Sequence, residues 1–488
     1  MKKKILVCIL SLMVFGCTKQ FDNKYDTTNS SYWANTYLFS NLIPRLLNPV
    51  PTSITSSNGT NQVVFYIGYS VTDTSLTVNT TANSYKIEGD LPTGIILNSS
   101  SGQFSGKPTS ISAAKQYTVT ACNTYGCTTG AVFIRVINAT ATRVYGQAGD
   151  FKSSTINNGG VSANSLSQPT AVLVDSAGGV YICDYGNGRI LYYSSGSTTA
   201  TRVYGQSGSF TTSTLATSTF SPTANTLLKP SGLALDSSGG LYVSDSGFHR
   251  ILYYPSGTTT PSRVYGTGGS FTATVNASTT ATTFNTPAGV AVDSADGLYV
   301  ADNGNHRVLY FPSGTTTATR VYGQSGSFTT NTQNKNGRSE TSFSNPTGVS
   351  LDSSGALYVT DQANHRVLYF PSGSTTATKV YAQNNFTTTD LTFTSTGISS
   401  PYVSSADSVG GLYVADYNRS RVLYYLDNTT KPILSYGQGG SLTNSQTYLV
   451  NGITTVSENS LQKPQCVFIT STGTVFICDS DSNRVLMY

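Results

Sequence analysis

The sequence is poor in charge. Only 10% of its 488 residues are Asp, Glu, Lys or Arg, and the formal net charge is +5 at pH 7. Subtracting Lys2, Lys3 and Lys4, which fall in the leader described below, leaves +5 − 3 = +2. A nucleic-acid-binding surface needs a clustered excess of Lys and Arg. We therefore expect no nucleic-acid partner.

Side chains for acid–base and metal chemistry are scarce as well. Glu occurs only at 88, 340 and 458, and His only at 249, 306 and 365. The histidines occupy one repeated position on successive repeats, which disfavours their convergence on zinc. Paired acids, a nucleophile elbow and a phosphate-cradling glycine loop are not apparent. These absences favour a non-catalytic protein without a cofactor, although calcium or zinc stays open as an alternative.

Long hydrophobic runs are confined to the start of the chain. Residues 1–16 combine three lysines with the apolar run Ile5–Phe15, which predicts an export signal too short to span a membrane. The ending Val14-Phe-Gly-Cys17 resembles a bacterial lipobox, and the resemblance implies that Cys17 is acylated and becomes the mature N-terminus. An ordinary secretory signal is the alternative. Both place the chain outside the cytoplasm.

The lipobox resemblance implies a lipid-anchored protein of the bacterial cell envelope, periplasmic or at the cell surface. Residues 17–50 show no sustained period, so we interpret them as a tether. No other run in the sequence approaches the ~20 apolar residues of a membrane span, so any membrane attachment is expected to be through the lipid. The oligomeric state is left open.

An oxidising compartment allows disulfides. Cys122 and Cys127 flank the turn sequence Asn-Thr-Tyr-Gly, and Cys466 and Cys478 would face each other across a hairpin. Cys183 is then left over. Burial of these cysteines as small apolar residues explains them equally well, so both interpretations stay open.

Residues 51–140 predict a small β-sandwich. Short strand-like runs are separated by Gly, Pro and Asn, and between them lie Leu91-Pro-Thr-Gly-Ile-Ile-Leu-Asn98, Ser101-Gly-Gln-Phe-Ser-Gly-Lys-Pro-Thr109 and Tyr117-Thr-Val-Thr120. This series resembles the immunoglobulin-like domains of bacterial surface proteins, with Lys107 as the main departure. The resemblance implies a spacer or an adhesion module.

Residues 141–488 contain one motif six times, as in Asp302-Asn-Gly-Asn-His-Arg-Val-Leu-Tyr-Phe311. An Arg follows the Asp by five residues in each copy. The six pairs are Asp184/Arg189, Asp245/Arg250, Asp302/Arg307, Asp361/Arg366, Asp416/Arg421 and Asp479/Arg484. Because an identical element is needed equally in every repeat, we interpret these pairs as structural ion pairs that order a turn. The alternative is a ring of carboxylates around a cation.

The repeats predict a six-bladed β-propeller. Each begins at a Pro fifteen residues before its Asp and contains three strand-like runs, followed by a fourth with Val-Tyr. The pieces Pro287-Ala-Gly-Val-Ala-Val-Asp293, Leu298-Tyr-Val-Ala-Asp302 and Asn305-His-Arg-Val308 resemble the NHL repeat family over residues 143–488. Departures include Ser420 and Asn483 in place of His, and Val403 and Cys466 in place of Gly. The complete fold class predicted is therefore all-β, a six-bladed β-propeller preceded by a small immunoglobulin-like β-sandwich.

The ends of the array predict how the ring closes. The last repeat stops at Tyr488 without a fourth strand, whereas a copy of that strand, residues 143–147, precedes the first repeat. We expect this N-terminal strand to complete the last blade. The basic residues of the fourth strands, Arg143, Arg202, Arg263, Arg320 and Lys379, are expected to keep an outer edge soluble.

Length variation is concentrated between each fourth strand and the next blade. The interval from the fourth-strand Tyr to the next Pro runs from 20 residues at Tyr381 to 28 at Tyr436. Strand alternation puts these connections on the same face as the Asp/Arg turns. We therefore predict that this face binds a protein or glycan partner. The alternative is a metal-dependent propeller enzyme, a hydrolase or a lyase, with its site at the central channel.

Overall fold

A computed structural model describes most of residues 51–488. The predicted signal peptide, Cys17 and the tether lie outside the described residues. In the part that is described there is no helix long and apolar enough to cross a membrane. The positions between 51 and 488 that are not described are 52, 57–60, 69, 72–73, 214–220, 274–277, 390–396, 427–428, 430, 439–441, 443–448, 451–452 and 455.

The first of two compact units comprises the described residues up to Thr109 together with Lys115–Ile134. Its core contains Phe65 and Phe104, whose rings meet edge-on with centroids 5.4 Å apart. The strands form a four-stranded sheet in the order β2-β8-β7-β4 and two pairs, β1-β3 and β5-β6. They are β1 (Ile54–Ser56), β2 (Gln62–Tyr66), β3 (Leu76–Val78), β4 (Ser84–Ile87), β5 (Ile95–Leu97), β6 (Phe104–Gly106), β7 (Ser112–Asn123) and β8 (Gly126–Ile137).

The second unit comprises Ser110–Ala114 and Arg135–Tyr488, so it includes two segments that the sequence assigned to the immunoglobulin-like domain. It contains six four-stranded antiparallel sheets, each one propeller blade. The predicted fold class, an all-β chain with a propeller and an immunoglobulin-like domain, is confirmed.

Five blades are continuous in sequence. Blade one is β10 (Pro169–Val174), β11 (Val180–Asp184), β12 (Arg189–Tyr193) and β13 (Arg202–Tyr204). Blade two is β14 (Pro230–Leu235), β15 (Leu241–Asp245), β16 (Arg250–Tyr254) and β17 (Arg263–Tyr265). Blade three is β18 (Pro287–Val292), β19 (Leu298–Asp302), β20 (Arg307–Phe311) and β21 (Arg320–Tyr322). Blade four is β22 (Pro346–Leu351), β23 (Leu357–Asp361), β24 (Arg366–Phe370) and β25 (Lys379–Tyr381). Blade five is β26 (Pro401–Ala406), β27 (Leu412–Asp416), β28 (Arg421–Tyr425) and β29 (Pro432–Tyr436).

Blade six joins the two ends of the array. It consists of β32 (Pro464–Ile469), β33 (Val475–Asp479), β34 (Arg484–Met487) and, as its fourth strand, β9 (Arg143–Tyr145). The register pairs Val144 with Leu486. Two further strands, β30 (Leu449–Val450) and β31 (Ile453–Thr454), pair with each other ahead of this blade. The ring is thus held by main-chain pairing between strands more than 300 residues apart.

An aromatic contact links each blade to the next. The Tyr that ends a fourth strand packs edge-on against the aromatic residue at the end of the following blade's third strand, as Tyr204 does against Tyr254 at 5.2 Å. Such pairs add to the energy of burial. The other pairs are Tyr145–Tyr193, Tyr265–Phe311, Tyr322–Phe370, Tyr381–Tyr425 and Tyr436–Tyr488, at 4.8–5.6 Å.

Candidate functional site: the loop face of the propeller

Each blade carries a buried ion pair at the turn between its second and third strands. In blade three Arg307 Nε donates to Asp302 Oδ2 at 2.7 Å, and both side chains are fully buried. The guanidinium also donates through Nη1 to the carbonyl of Phe328 at 2.6 Å, in the connection after the blade. Through Nη2 it donates to the carbonyls of Thr280 and Thr283, at 2.7 and 2.9 Å, in the connection before the blade. One Arg therefore fixes two neighbouring connections to the turn.

The same geometry recurs at 2.7–2.8 Å in all six blades, at every pair predicted from the sequence. Burial raises the pKa of each carboxyl, and the paired Arg opposes that shift. In blade two Phe248 replaces the Asn that donates to the carboxylate in blades one, three and four, and burial raises the pKa of Asp245 to about 6. None of the twelve side chains has exposed surface. Each Arg holds a connection on the same face of the ring, which we call the loop face.

The three histidines connect successive blades. Each has left-handed backbone dihedrals, with φ of 53–54°, and its Nδ1 accepts a hydrogen bond from a backbone N–H at the start of the next blade. The donors are Thr286 for His249 at 2.9 Å, Asn345 for His306 at 3.1 Å and Ser400 for His365 at 2.9 Å. Among the described residues no group of His, Cys, Asp or Glu could hold a metal ion. The histidines are therefore hydrogen-bond acceptors between blades.

Asn483 makes the corresponding connection where the ring closes. Its Oδ1 accepts from the backbone N–H of Gln168 at 2.9 Å. The repeat thus uses an Asn for the same acceptor role in blade six.

The sequence left pairing and burial as free thiols equally open for four cysteines, and in the structure all four are paired. Cys122 is bonded to Cys127, and Cys466 is bonded to Cys478. Cys183 is a buried free thiol. Cys466 lies on the innermost strand of blade six, so its disulfide lies beside the central channel.

The central channel contains a cavity of about 340 Å³ lined by the innermost strands of all six blades. The lining side chains are aliphatic or small, with Phe468 as the aromatic exception and the serines and Cys466 as the polar ones. Carboxylate, imidazole and amide side chains do not contribute to this lining. The described channel wall therefore offers no set of ligands for calcium or zinc.

Three tyrosines mark the end of the channel on the loop face. Tyr402 is the second residue of β26, and its ring centroid lies 5.9 Å from that of Tyr417. Burial raises the pKa of Tyr402, and the nearby hydroxyls of Tyr185 and Tyr417 add to the shift. Lys463 Nζ lies 5.8 Å from the Tyr417 ring centroid. Tyr185, Tyr402 and Tyr417 are each partly exposed, and we call them the mouth tyrosines.

Comparison with known families assigns the repeats. The family model NHL repeat matches residues 227–259, 284–311 and 343–370, which cover the first three strands of blades two, three and four. Blades two, three and four therefore contain NHL repeats. A second family model, described as "Putative Ig domain", matches residues 44–138. A search of curated proteins finds no match.

The solved structures to which this chain is similar are distant in sequence. A Bacteroides thetaiotaomicron protein of unknown function is 12% identical, with a TM-score of 0.50, and the match covers 90% of this chain and 97% of that one. Virginiamycin B lyase from Staphylococcus aureus is 10% identical, with a TM-score of 0.37 over 77% of this chain and 94% of that one. A streptogramin B lyase is 11% identical, with a TM-score of 0.38 over 84% and 99%. The Bacteroides structure supports the fold alone.

Within the propeller, sequence reasoning missed the mouth tyrosines. The position of Tyr417 is also Tyr in blade one, at Tyr185, but it is Ser, Asn or Gln elsewhere, and the position of Tyr402 is Thr, Ser, Ala or Gln in the other blades. A comparison of the six repeats at these two positions would have shown blade five as the atypical one. The tyrosines of blades one and five meet at the end of the channel only because the blades are arranged in a ring.

The basic residues of the fourth strands also do more than the sequence suggested. Arg202 lies over the Tyr192 ring at 4.8 Å and donates to the Tyr204 hydroxyl at 3.2 Å. The same stacking occurs in blades two to four, so these cations cover aromatic surface as well as charging an edge. The other pairs are Arg263–Tyr253, Arg320–Tyr310 and Lys379–Tyr369, at 4.9–5.4 Å.

Proposed function

We propose that this protein is a non-catalytic cell-envelope lipoprotein whose NHL propeller binds a protein or glycan partner through its loop face. The mouth tyrosines carry the proposal. Partly exposed Tyr side chains supply large, rigid contact area and a hydroxyl, which is why Tyr is enriched at interfaces. Their rings also offer flat surfaces on which a sugar ring can stack.

The rest of the loop face supports this role. Six buried Arg side chains hold the connections around the tyrosines through carbonyl hydrogen bonds. A preorganised surface loses less entropy on binding than a mobile one. Lipid attachment at Cys17 and residence at the envelope belong to the same proposal and rest on the lipobox resemblance.

The repeat itself supplies substitutions that test the proposal without disturbing the blade. Ser occupies the Tyr417 position in blades two and six, so Tyr417→Ser should leave the turn intact. We expect the full chain to capture a partner from envelope extract or on a glycan array, and Tyr417→Ser to weaken that capture at least about tenfold, as for a hot-spot residue. Gln362→Ser, at the same position of blade four, is the matched control and should bind normally.

Two results would reject the proposal. One is the absence of any enrichment over a range of salt concentrations. The other is equal loss of binding in Tyr417→Ser and Gln362→Ser, since this would show that the tyrosine has no specific role.

The alternative function is a metal-dependent hydrolase or lyase with its site at the channel. The described side chains that line the channel do not include a set of metal ligands. Calorimetric titration of the full chain with calcium and zinc distinguishes the two functions. Tight stoichiometric binding would favour the enzyme.

A further inference from the structure

Three positively charged or titratable side chains meet on the loop face between blades four and five. Arg338 lies in the connection before blade four, His365 follows the turn of blade four, and Arg419 lies in the turn of blade five. The equivalent positions between blades three and four hold Thr279, His306 and Asn364. The repeat therefore provides the His at both places but adds the two Arg only here.

Hydrogen bonds place His365 and Arg419 on one short segment, Gly397–Ser400, and Arg338 beside His365. His365 Nδ1 accepts from the backbone N–H of Ser400 at 2.9 Å, and Arg419 Nη1 donates to the carbonyl of Gly397. Arg338 Nη2 donates to the carbonyl of the residue just before His365. We call Arg338, His365 and Arg419 the blade-five cationic cluster.

The charge of Arg338 is not balanced by its surroundings. Within the described parts of the chain, no carboxylate lies at salt-bridge distance from Arg338, and its buried Nε has no hydrogen-bond partner. Burial and the neighbouring charge of Arg366 lower the pKa of Arg338 to about 10, against the opposing effect of Asp361. The carboxylate of Asp361 is already bonded to Arg366 at 2.7 Å.

Burial and the same excess of positive charge lower the pKa of His365. Burial first, and then Arg338 and Arg419, lower its pKa, while Asp361 acts in the opposite direction. Because Nδ1 accepts a hydrogen bond, the proton of the neutral ring is on Nε2, which is a donor. Donors and positive charge thus lie together at a partly exposed position of the loop face.

Like charges that no carboxylate balances destabilise a fold, and a bound anion offsets that cost. We propose that Arg338 and His365, supported by the charge of Arg419, bind an anionic oxygen group, a carboxylate or a phosphate, of an acidic glycan. The inference rests on the proposed partner-binding role of the loop face and narrows the partner's chemistry. Tyr417, two residues before Arg419, would stack on a sugar ring of the same glycan.

The protein's three histidines make a direct test. Imidazole signals of the full chain are followed by NMR during titration with oligogalacturonate, which carries carboxylates, and separately with inorganic phosphate. We expect saturable shifts confined to His365 and an upward change in its pKa, because a bound anion stabilises the imidazolium. His249 and His306 are internal controls for fold and for general ionic effects. The anion that binds more tightly identifies the chemistry of the group.

Two variants separate a specific site from general charge. Arg338→Ala should weaken anion binding about tenfold or more, since hydrogen bonds between charged groups are the strong ones. Lys335→Ala removes the same charge from the same connection, but its Nζ already donates to the Gln324 carbonyl at 3.1 Å and to Thr330 Oγ1 at 3.0 Å. We expect Lys335→Ala to bind normally.

The inference is overturned if neither anion shifts His365, if all three histidines respond alike, or if both variants weaken binding equally. Partner capture that persists without an anion response would leave the proposed function standing and remove the anion site. An anion response confined to His365 without any captured partner would support the site and reject the proposed partner.

Discussion

Arg135 forms a buried ion pair with Asp407 of blade five, in which Nη1 donates to Oδ2 at 2.8 Å and the side chains are only 2% and 5% exposed. The guanidinium also lies over the rings of Tyr424 and Tyr413, at 4.8 and 5.6 Å. In blades one to four, a fourth-strand Arg or Lys stacks on the Tyr equivalent to Tyr424. Blade five has Leu434 at that register position. Arg135 therefore supplies from elsewhere in the unit the cation that blade five lacks.

Arg135→Ala should destabilise the propeller by about 3–5 kcal/mol, because it leaves the carboxylate of Asp407 buried without its partner. The free energy of unfolding of the full chain in urea would measure this. Adding Leu434→Arg to that variant should recover part of the loss, since it restores the arrangement of the other blades. An unchanged stability in Arg135→Ala would show that the ion pair contributes nothing.

The buried ion pair in each blade requires Arg, and another positively charged side chain cannot replace it. Arg307→Lys should lower the free energy of unfolding by about 2 kcal/mol or more, because one ammonium cannot reach the carboxylate of Asp302 and the carbonyls on both sides of it. Arg320→Lys, on the fourth strand of the same blade, is the control, since its place is taken by Lys379 in blade four. Equal effects in thermal melting would contradict the prediction.

Closure through β9 predicts that replacing residues 141–148 with a Gly-Ser linker of equal length destabilises the entire propeller. The loss should exceed about 3 kcal/mol, the scale of removing one buried aromatic residue, because Tyr145 packs against Tyr193 at 5.0 Å in blade one. Appending residues 141–148 after Tyr488 through a short linker should restore the melting temperature. No change on replacement would argue against closure by this strand.

The histidines predict a loss of stability in mild acid. Burial lowers the pKa of His249, His306 and His365 in the folded state, and a protonated Nδ1 cannot accept the N–H of the next blade. The unfolded chain therefore binds more protons near the ordinary pKa of about 6.5, so stability is complete above that pH and falls as the pH drops through it.

The triple variant His249→Asn, His306→Asn, His365→Asn isolates this effect. Asn keeps an acceptor, as Asn483 shows in blade six, and tolerates left-handed dihedrals. Its melting temperature should depend less on pH between about 5 and 7 than that of the parent chain. Identical pH profiles would remove the histidines as the cause.

Much of the fold could be predicted because the constraints are periodic. The spacing from Pro to Asp and from Asp to Arg is constant, and the structure uses it directly: Pro287 pairs with Asp302, and Asp302 pairs with Arg307, in adjacent strands. Such pairing lies within one blade, so local sequence contains it. The fifteen-residue interval between Pro and Asp is the length of two strands and a tight turn.

The candidate functional surface could be predicted only in part. The sequence indicated the loop face, because the connections that vary in length lie there. The structure adds that the Arg side chains hold these connections through hydrogen bonds to their carbonyls. The sequence could not predict that Tyr402 and Tyr185 lie together, because they belong to blades five and one and meet only when the ring closes. The pairing of Arg135 with Asp407 was equally hidden, at a separation of 272 residues.

By itself the sequence determined the repeat, the strand order within a blade and the strand that closes the ring, because each follows from a count of residues along the chain. Tertiary structure decided which atypical side chains come together: the mouth tyrosines, the blade-five cationic cluster, and the Arg that replaces a missing cation. The physical reason is that residues far apart in sequence become neighbours only through closure, and their charge, burial and hydrogen bonding are set by those neighbours.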